Sequence, residues 1–63
     1  MIVSMEDYRK TKEYTDRLQQ ILLSLRAAHS PQEYEGMSRP YLKELTKAQR
    51  EIAVYLAVPQ LAA

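Results

Sequence analysis

A helix-start signature near the middle of the chain most constrains its fold. Ser30 can act as an N-cap that accepts a hydrogen bond from a backbone amide, and Pro31 then takes the first helical position, where a missing N–H costs nothing. Glu33 follows the cap by three residues and can complete a capping box. One helix therefore ends near Ala28 and another begins at Pro31. Because the connection, 29–30, is so short, the sequence predicts two antiparallel helices.

The segment before this turn has the periodicity of a helix. Ser4 and Asp7 form an acidic variant of the capping box, and the first helix is expected over about 5–28. Positions spaced alternately by three and four residues form one stripe: Tyr8, Thr11, Thr15, Leu18, Leu22 and Leu25. Tyr14, Ile21 and Ala28 widen this stripe on one flank. This spacing is typical of a helix and not of a strand.

The segment after the turn is less regular. Its stripe consists of Tyr34, Ser38, Tyr41, Leu45, Ala48, Ile52 and Tyr55, with Leu42 and Leu56 beside it. Gly36 and Pro40 lie within this pattern, and a proline inside a helix removes a backbone donor and clashes one turn back. We therefore expect one helix over about 31–58, kinked or broken at 36–40, with a frayed tail over 59–63.

The chain is short for an independent domain. Its 63 residues make one domain, 1–63, and a hairpin buries less surface than a compact fold of the same length. There is no cysteine to form a disulfide, and small scaffolds without such links usually need a partner chain or oligomerisation. The expected fold is therefore all-α, an antiparallel two-helix hairpin completed by a partner chain or as a homodimer.

The end of the second helix carries more apolar surface than one facing helix can cover. Residues 52–58 are seven consecutive apolar residues, although a facing helix covers a single stripe. Helical spacing directs Ile52, Tyr55 and Leu56 towards the first helix and Val54 almost opposite. The end of the hairpin opposite the turn, which we call the open end, is therefore expected to expose apolar side chains.

The N-terminus adds to this excess, because Met1, Ile2, Val3 and Met5 lie at the same end of an antiparallel hairpin. We interpret the excess as a binding surface for another chain, and ordinary exposure of single apolar residues is the alternative. Leu23 is a second apolar residue outside the stripe. The candidate interface residues are Met5, Tyr8, Leu23, Val54, Tyr55 and Val58.

The sequence offers no constellation for catalysis. We expect no catalytic, cofactor-binding or metal site, because no nucleophile, base and orienting group occur together and the lone His29 suits the end of the first helix. The net charge of +1, with acidic and basic residues interspersed, lacks the basic footprint of a nucleic-acid-binding protein. No run reaches the roughly 20 apolar residues that span a bilayer, and we expect no signal peptide.

Three segments together resemble a known family: Leu25-Arg26-Ala27-Ala28, Ser30-Pro31-Gln32-Glu33-Tyr34 and the stretch from Ile52 to Tyr55. Over roughly Tyr8 to Leu56 the chain resembles the small co-chaperones of bacterial type III secretion systems, the YscE-like family. The resemblance implies a cytoplasmic helical hairpin that binds a larger helical-repeat chaperone. In that family the pair holds the needle subunit unpolymerised, and the small member chiefly stabilises its partner. The short turn and Pro40 depart from the family pattern.

Two function hypotheses follow from these observations. The leading one is a non-enzymatic co-chaperone that stabilises a larger helical-repeat chaperone and, through it, acts on a needle subunit. The alternative is a small homodimeric four-helix bundle with a structural or regulatory role, which would also explain self-association. A DNA-binding regulator is disfavoured by the charge balance.

Overall fold

The structure, a computed structural model, describes residues 2–59, and these form two helices with no strand. Helix α1 spans Met5–Ala28 and helix α2 spans Pro31–Ala57, joined by His29 and Ser30. Tyr8 near the start of α1 contacts Tyr55 near the end of α2, so the helices are antiparallel. The predicted all-α hairpin is confirmed. It is an elongated rod that measures 51 × 14 × 13 Å.

Both helices begin at the predicted caps. In α2 the Glu33 amide donates to Ser30 Oγ at 3.3 Å and the Ser30 amide donates to Glu33 Oε1 at 3.0 Å, so the capping box is complete. In α1 the Asp7 amide donates to Ser4 Oγ at 3.2 Å. The Asp7 carboxylate, however, accepts from the amide of Val3 at 3.4 Å and not from that of Ser4.

The helices end where extended backbone takes over. His29 follows α1 as its C-cap, and its amide donates to the Leu25 carbonyl at 3.1 Å. Helix α2 ends at Ala57, one residue before the predicted end, and the amide of Val58 donates to the Val54 carbonyl at 3.1 Å. The predicted frayed tail, apart from Pro59, lies outside the described residues, as does Met1.

Helix α2 runs without interruption through Gly36 and Pro40. The predicted alternative of a break at 36–40 is therefore wrong, and a kink there stays a prediction. Pro40 cannot donate to the Gly36 carbonyl, but both residues are exposed, so that carbonyl faces water instead of an apolar core. The helix tolerates the proline because the lost hydrogen bond lies on its solvent side.

The two helices meet along the predicted stripes, but the core is thin. Its buried members within the helices are Thr15, Leu18, Leu22, Ser38 and Ala48. Two of the five are hydroxyl residues, and each bonds within its own helix: Thr15 Oγ1 donates to the Lys12 carbonyl at 2.7 Å and Ser38 Oγ to the Glu35 carbonyl at 3.3 Å. The core therefore supplies little apolar burial for the length of the hairpin.

Two residues at the open end differ from expectation. Leu56 was expected to face α1, but 66% of its surface is exposed, whereas the adjacent Tyr55 packs against Tyr8 of α1. Ile2, in contrast, is buried at 9% exposure although it lies outside both helices. Part of the apolar excess is therefore covered within the hairpin, and part of it is not.

Candidate partner-binding surface

Three of the candidate interface residues contact one another within the hairpin. The rings of Tyr8 and Tyr55 stack, with centroids 5.8 Å apart and planes 24° apart, and Tyr55 Oη approaches Met5 Sδ at 3.9 Å. Both tyrosines are half-buried. The tyrosine rings stack and the Tyr55 hydroxyl donates to the Met5 sulfur, so both contacts join the start of α1 to the end of α2. Tyr8 and Tyr55 therefore close the open end, and their surfaces are only partly available to another chain.

Around this stacked pair the open end exposes large apolar side chains. Met5, Val54 and Val58, which the sequence predicted as interface residues, are 58%, 55% and 62% exposed. Val3 and Leu56 are also exposed, at 74% and 66%. We call these residues the open-end surface: Val3, Met5, Val54, Leu56 and Val58. Because Val54 and Leu56 point to different sides of α2, the apolar surface surrounds the last turn of the helix.

Leu23 does not belong to this surface. It is 64% exposed, but it lies on α1 some 18 residues from Met5, a separation of roughly 27 Å along a helix. The structure thus brings five of the six candidate residues to one end of the hairpin and leaves Leu23 near the other. A single exposed leucine is ordinary on a protein surface, and an interface role for Leu23 stays a prediction.

The turn residues serve the fold. Hydrogen bonds from the Ser30 amide and then from its side chain lower the pKa of Glu33, and His29 beside it acts in the same direction. His29 Nδ1 lies 3.9 Å from Glu33 Oε1. The carboxylate therefore stays ionised at the positive end of α2, where the helix dipole also favours a negative charge. Ser30, Pro31 and Glu33 are thus accounted for as helix-start residues.

One shallow depression between the helices brings titratable groups together. Its lining includes Tyr14, Glu44, Lys47 and Glu51, and Tyr14 Oη donates to Glu44 Oε2 at 3.4 Å. Partial desolvation and the Glu44 carboxylate raise the pKa of Tyr14. A protonated phenol bonded to an exposed carboxylate is a weak nucleophile and a weak base.

Two further properties concern the described residues as a whole. Within residues 2–59 no three side chains of the metal-ligating types come close enough together to hold an ion. Neither α1 nor α2 combines the length and the apolarity that a membrane crossing requires.

Sequence reasoning missed two members of the open-end surface. Val3 precedes the first helix, where periodicity says nothing about the direction of a side chain, and Leu56 has the right spacing for the seam but is 66% exposed. The signal that could have found both is their position at the open end of the hairpin, where the facing stripe runs out.

The fold and this surface define a class, an antiparallel helical hairpin with an uncovered apolar end. Comparison with protein-family models, with curated proteins and with solved structures found no match. The resemblance to the YscE-like family therefore stays a prediction.

Proposed function

We propose that this chain is a non-enzymatic binding module whose open end docks on a larger protein. The observation that carries the proposal is the open-end surface, five large apolar side chains that are each more than half exposed at one end of the hairpin. Single exposed apolar residues are ordinary, but a cluster around one helix end is typical of an interaction site.

The thin core supports the same proposal. Among residues 2–59, the buried apolar side chains are those of Ile2, Leu18, Leu22 and Ala48. Burial of this size gives a chain of 63 residues little stability to offset the entropy of ordering it. A partner that binds only the folded hairpin would raise its stability by mass action. Binding and stable folding of this chain are thus expected to be coupled.

For the partner we propose a larger helical-repeat chaperone of a bacterial type III secretion system, in the cytoplasm. What supports this choice is the resemblance of three segments to the YscE-like family, together with a helical hairpin of matching size. The chain would stabilise that chaperone, and the chaperone would hold a needle subunit unpolymerised. The exposed valines and leucine would insert between helices of the repeat, where apolar grooves accept them.

The test is co-purification from the native cell with a matched pair of variants. Val54→Glu places a charge on the open-end surface, where burial without a partner charge is costly. Gln49→Glu adds the same charge to an exposed position of the same helix, five residues away. We expect wild type and Gln49→Glu to co-purify with one helical-repeat protein and a needle subunit, and Val54→Glu to lose both.

Circular dichroism of the two variants must show equal helicity, so that loss of the complex reports the surface and not the fold. If Val54→Glu retains the partner as well as Gln49→Glu does, the open end is not the binding surface. If the co-purifying protein is not a helical-repeat chaperone, the proposed partner is wrong, but the proposal that the open end binds another protein is retained.

A further inference from the structure

We propose that the binding surface of this chain continues from the open end along the outer face of α2, where it binds an acidic helix of the same partner. This face carries three cations, Lys43, Lys47 and Arg50, in a row that leads to Val54. We call these four residues the outer strip. The inference deepens the proposed function and rests on it, because it describes a second part of the same partner's surface.

The outer strip is one straight row on the side of α2 that faces away from α1. Its spacing of four, three and four residues places all four side chains on one face of the helix, and all four are exposed. Arg50 is two residues from Ala48, which is buried against α1, and thus lies about 200° around the helix from it. The strip is roughly 16 Å long, and it reaches the open-end surface because Val54 belongs to both.

The cations of the outer strip lack the ion pairs that several other cations of the hairpin have. On α1, Lys10 Nζ lies 3.7 Å from Glu6 Oε1 and Lys12 Nζ lies 3.7 Å from Asp16 Oδ2. Among residues 2–59, no ion pair includes a cation of the outer strip. These three charges are therefore not neutralised by contacts within the described part of the hairpin.

The outer strip also places like charges beside one another. Lys43 has Arg39 four residues before it and Lys47 four residues after it, and Arg50 has Lys47 three residues before it. No acidic residue lies three or four positions from Lys43 or Arg50. Like charges at these spacings repel and slightly destabilise a helix. A negatively charged partner would offset this repulsion, which a neutral partner would not.

The acidic residues next to the outer strip lie on its flank towards α1. Glu44 follows Lys43 directly, and Glu44 Oε2 accepts a hydrogen bond from Tyr14 Oη of α1 at 3.4 Å. Glu51 follows Arg50 directly and lines the shallow depression between the helices. Because one residue corresponds to about 100° around a helix, both carboxylates lie to one side of the strip. The outward surface of the strip is therefore positive.

An acidic helix suits the outer strip better than a membrane or a nucleic acid does. A helix at a membrane surface inserts an apolar face, but the apolar face of α2 packs on α1 and its outer face is cationic. A nucleic acid requires a broader excess of positive charge than the net charge of +1. A helix with carboxylates three and four residues apart matches the three cations in spacing, and an apolar residue one turn further on would contact Val54.

The test compares two double variants that change the net charge equally. Lys43→Glu with Arg50→Glu reverses the outer strip, and Arg9→Glu with Arg17→Glu reverses two exposed cations of α1. Each is titrated by calorimetry into the protein that co-purifies with wild type. At low salt, we expect the strip variant to bind at least about tenfold more weakly than wild type, and the α1 variant to bind like wild type. High salt should remove most of this difference, because it screens exposed charges.

The stability of the strip variant separates binding from folding. Both of its substitutions place a carboxylate three or four residues from Lys47, so we expect its melting temperature to equal or exceed that of wild type. Weaker binding at unimpaired stability then reports a lost contact. If the strip variant binds as tightly as the α1 variant while Val54→Glu loses the partner, this inference fails and the open end remains the binding surface.

A synthetic probe tests the outer strip even if no partner co-purifies. The probe is a helical peptide with three glutamates spaced four and three residues apart and a leucine four residues further on, and a peptide of the same composition with its glutamates spread around the helix is the control. In an NMR titration of the isotope-labelled chain, we expect the amide signals around Lys47 to shift at several-fold lower concentrations of the probe than of the control. Equal affinity for the two peptides would overturn the proposal, as would strip-dependent binding to phosphatidylserine vesicles in place of the probe.

Discussion

Replacement of Pro40 should stabilise the hairpin substantially. Pro40 lies inside the unbroken helix α2, on its exposed side. Alanine there would restore the hydrogen bond to the Gly36 carbonyl and remove the clash of the proline ring with it. In an exposed helix interior, proline is about 3 kcal/mol less favourable than alanine. Because proline also restricts the unfolded chain, which offsets up to about 1 kcal/mol, we expect a net gain of about 2 kcal/mol.

That gain is large for this chain. At 0.05–0.15 kcal/mol per residue, 63 residues correspond to a total stability of about 3–9 kcal/mol. For a domain of this size, 1 kcal/mol shifts the melting temperature by about 4–8 °C. Thermal unfolding followed by circular dichroism should therefore give an increase of at least about 8 °C for Pro40→Ala. Wild type and variant must be compared at one concentration, because association would also raise the melting temperature.

Pro31→Ala is the matched control, since it makes the same substitution at the first position of the same helix. There the missing N–H has no intrahelical partner to lose, so we expect a change of a few tenths of a kcal/mol at most. If Pro40→Ala leaves the stability unchanged or lowers it, the reasoning fails. The seam around Ser38 would then require the backbone shape that proline imposes, and its repacking would outweigh the restored hydrogen bond.

Two further predictions concern the start of α2. Ser30→Ala should lower stability by about 1 kcal/mol and Ser30→Asp should be nearly neutral, measured by thermal unfolding; an equal loss from both would show that Ser30 Oγ is not the cap. The pKa of the Glu33 carboxyl is lower in the folded hairpin than its ordinary value of 4.5. The ionised carboxylate therefore contributes its full stabilisation of the fold above pH 4.5, and this stabilisation is lost as the pH falls through the lower pKa of the folded state. The melting temperature of wild type should therefore fall over this range more than that of Glu33→Gln, which keeps the capping geometry, and identical pH profiles would contradict this account.

The two helices and the turn could be predicted because their signals are local. Ser30 and Glu33 lie within one helical turn, so the residues that make the capping box are adjacent in the sequence. The seam could be predicted for the same reason, since helical spacing alone decides which side chains share a face. The sequence could not predict that α2 continues through Pro40. The free-energy cost of a proline inside a helix depends on whether its side of the helix faces solvent or the core, and Pro40 is exposed.

The open end could be predicted only in part. Its apolar excess is visible in the sequence, but the stacking of Tyr8 on Tyr55 depends on the register between the two helices, because these tyrosines are 47 positions apart in the chain. Ile2 has no periodicity to reveal that it is covered. The spacing of Leu56 gives its direction, but whether anything lies opposite depends on where the other helix begins. The exposure of a side chain at the end of one helix therefore depends on how the two helices pack together, and it cannot be predicted from the sequence of either helix alone.

The two buried hydroxyls have a consequence for how the helices can move. Thr15 and Ser38 each donate to a carbonyl of their own helix, so neither forms a bridge across the seam. In many helix pairs a buried polar residue locks the axial alignment through a bond to the opposite helix. Here neither hydroxyl resists a sliding movement of one helix along the other. Alignment depends instead on the two-residue connection at one end, on the Tyr14–Glu44 hydrogen bond between the helices and on the stacked tyrosines at the other end.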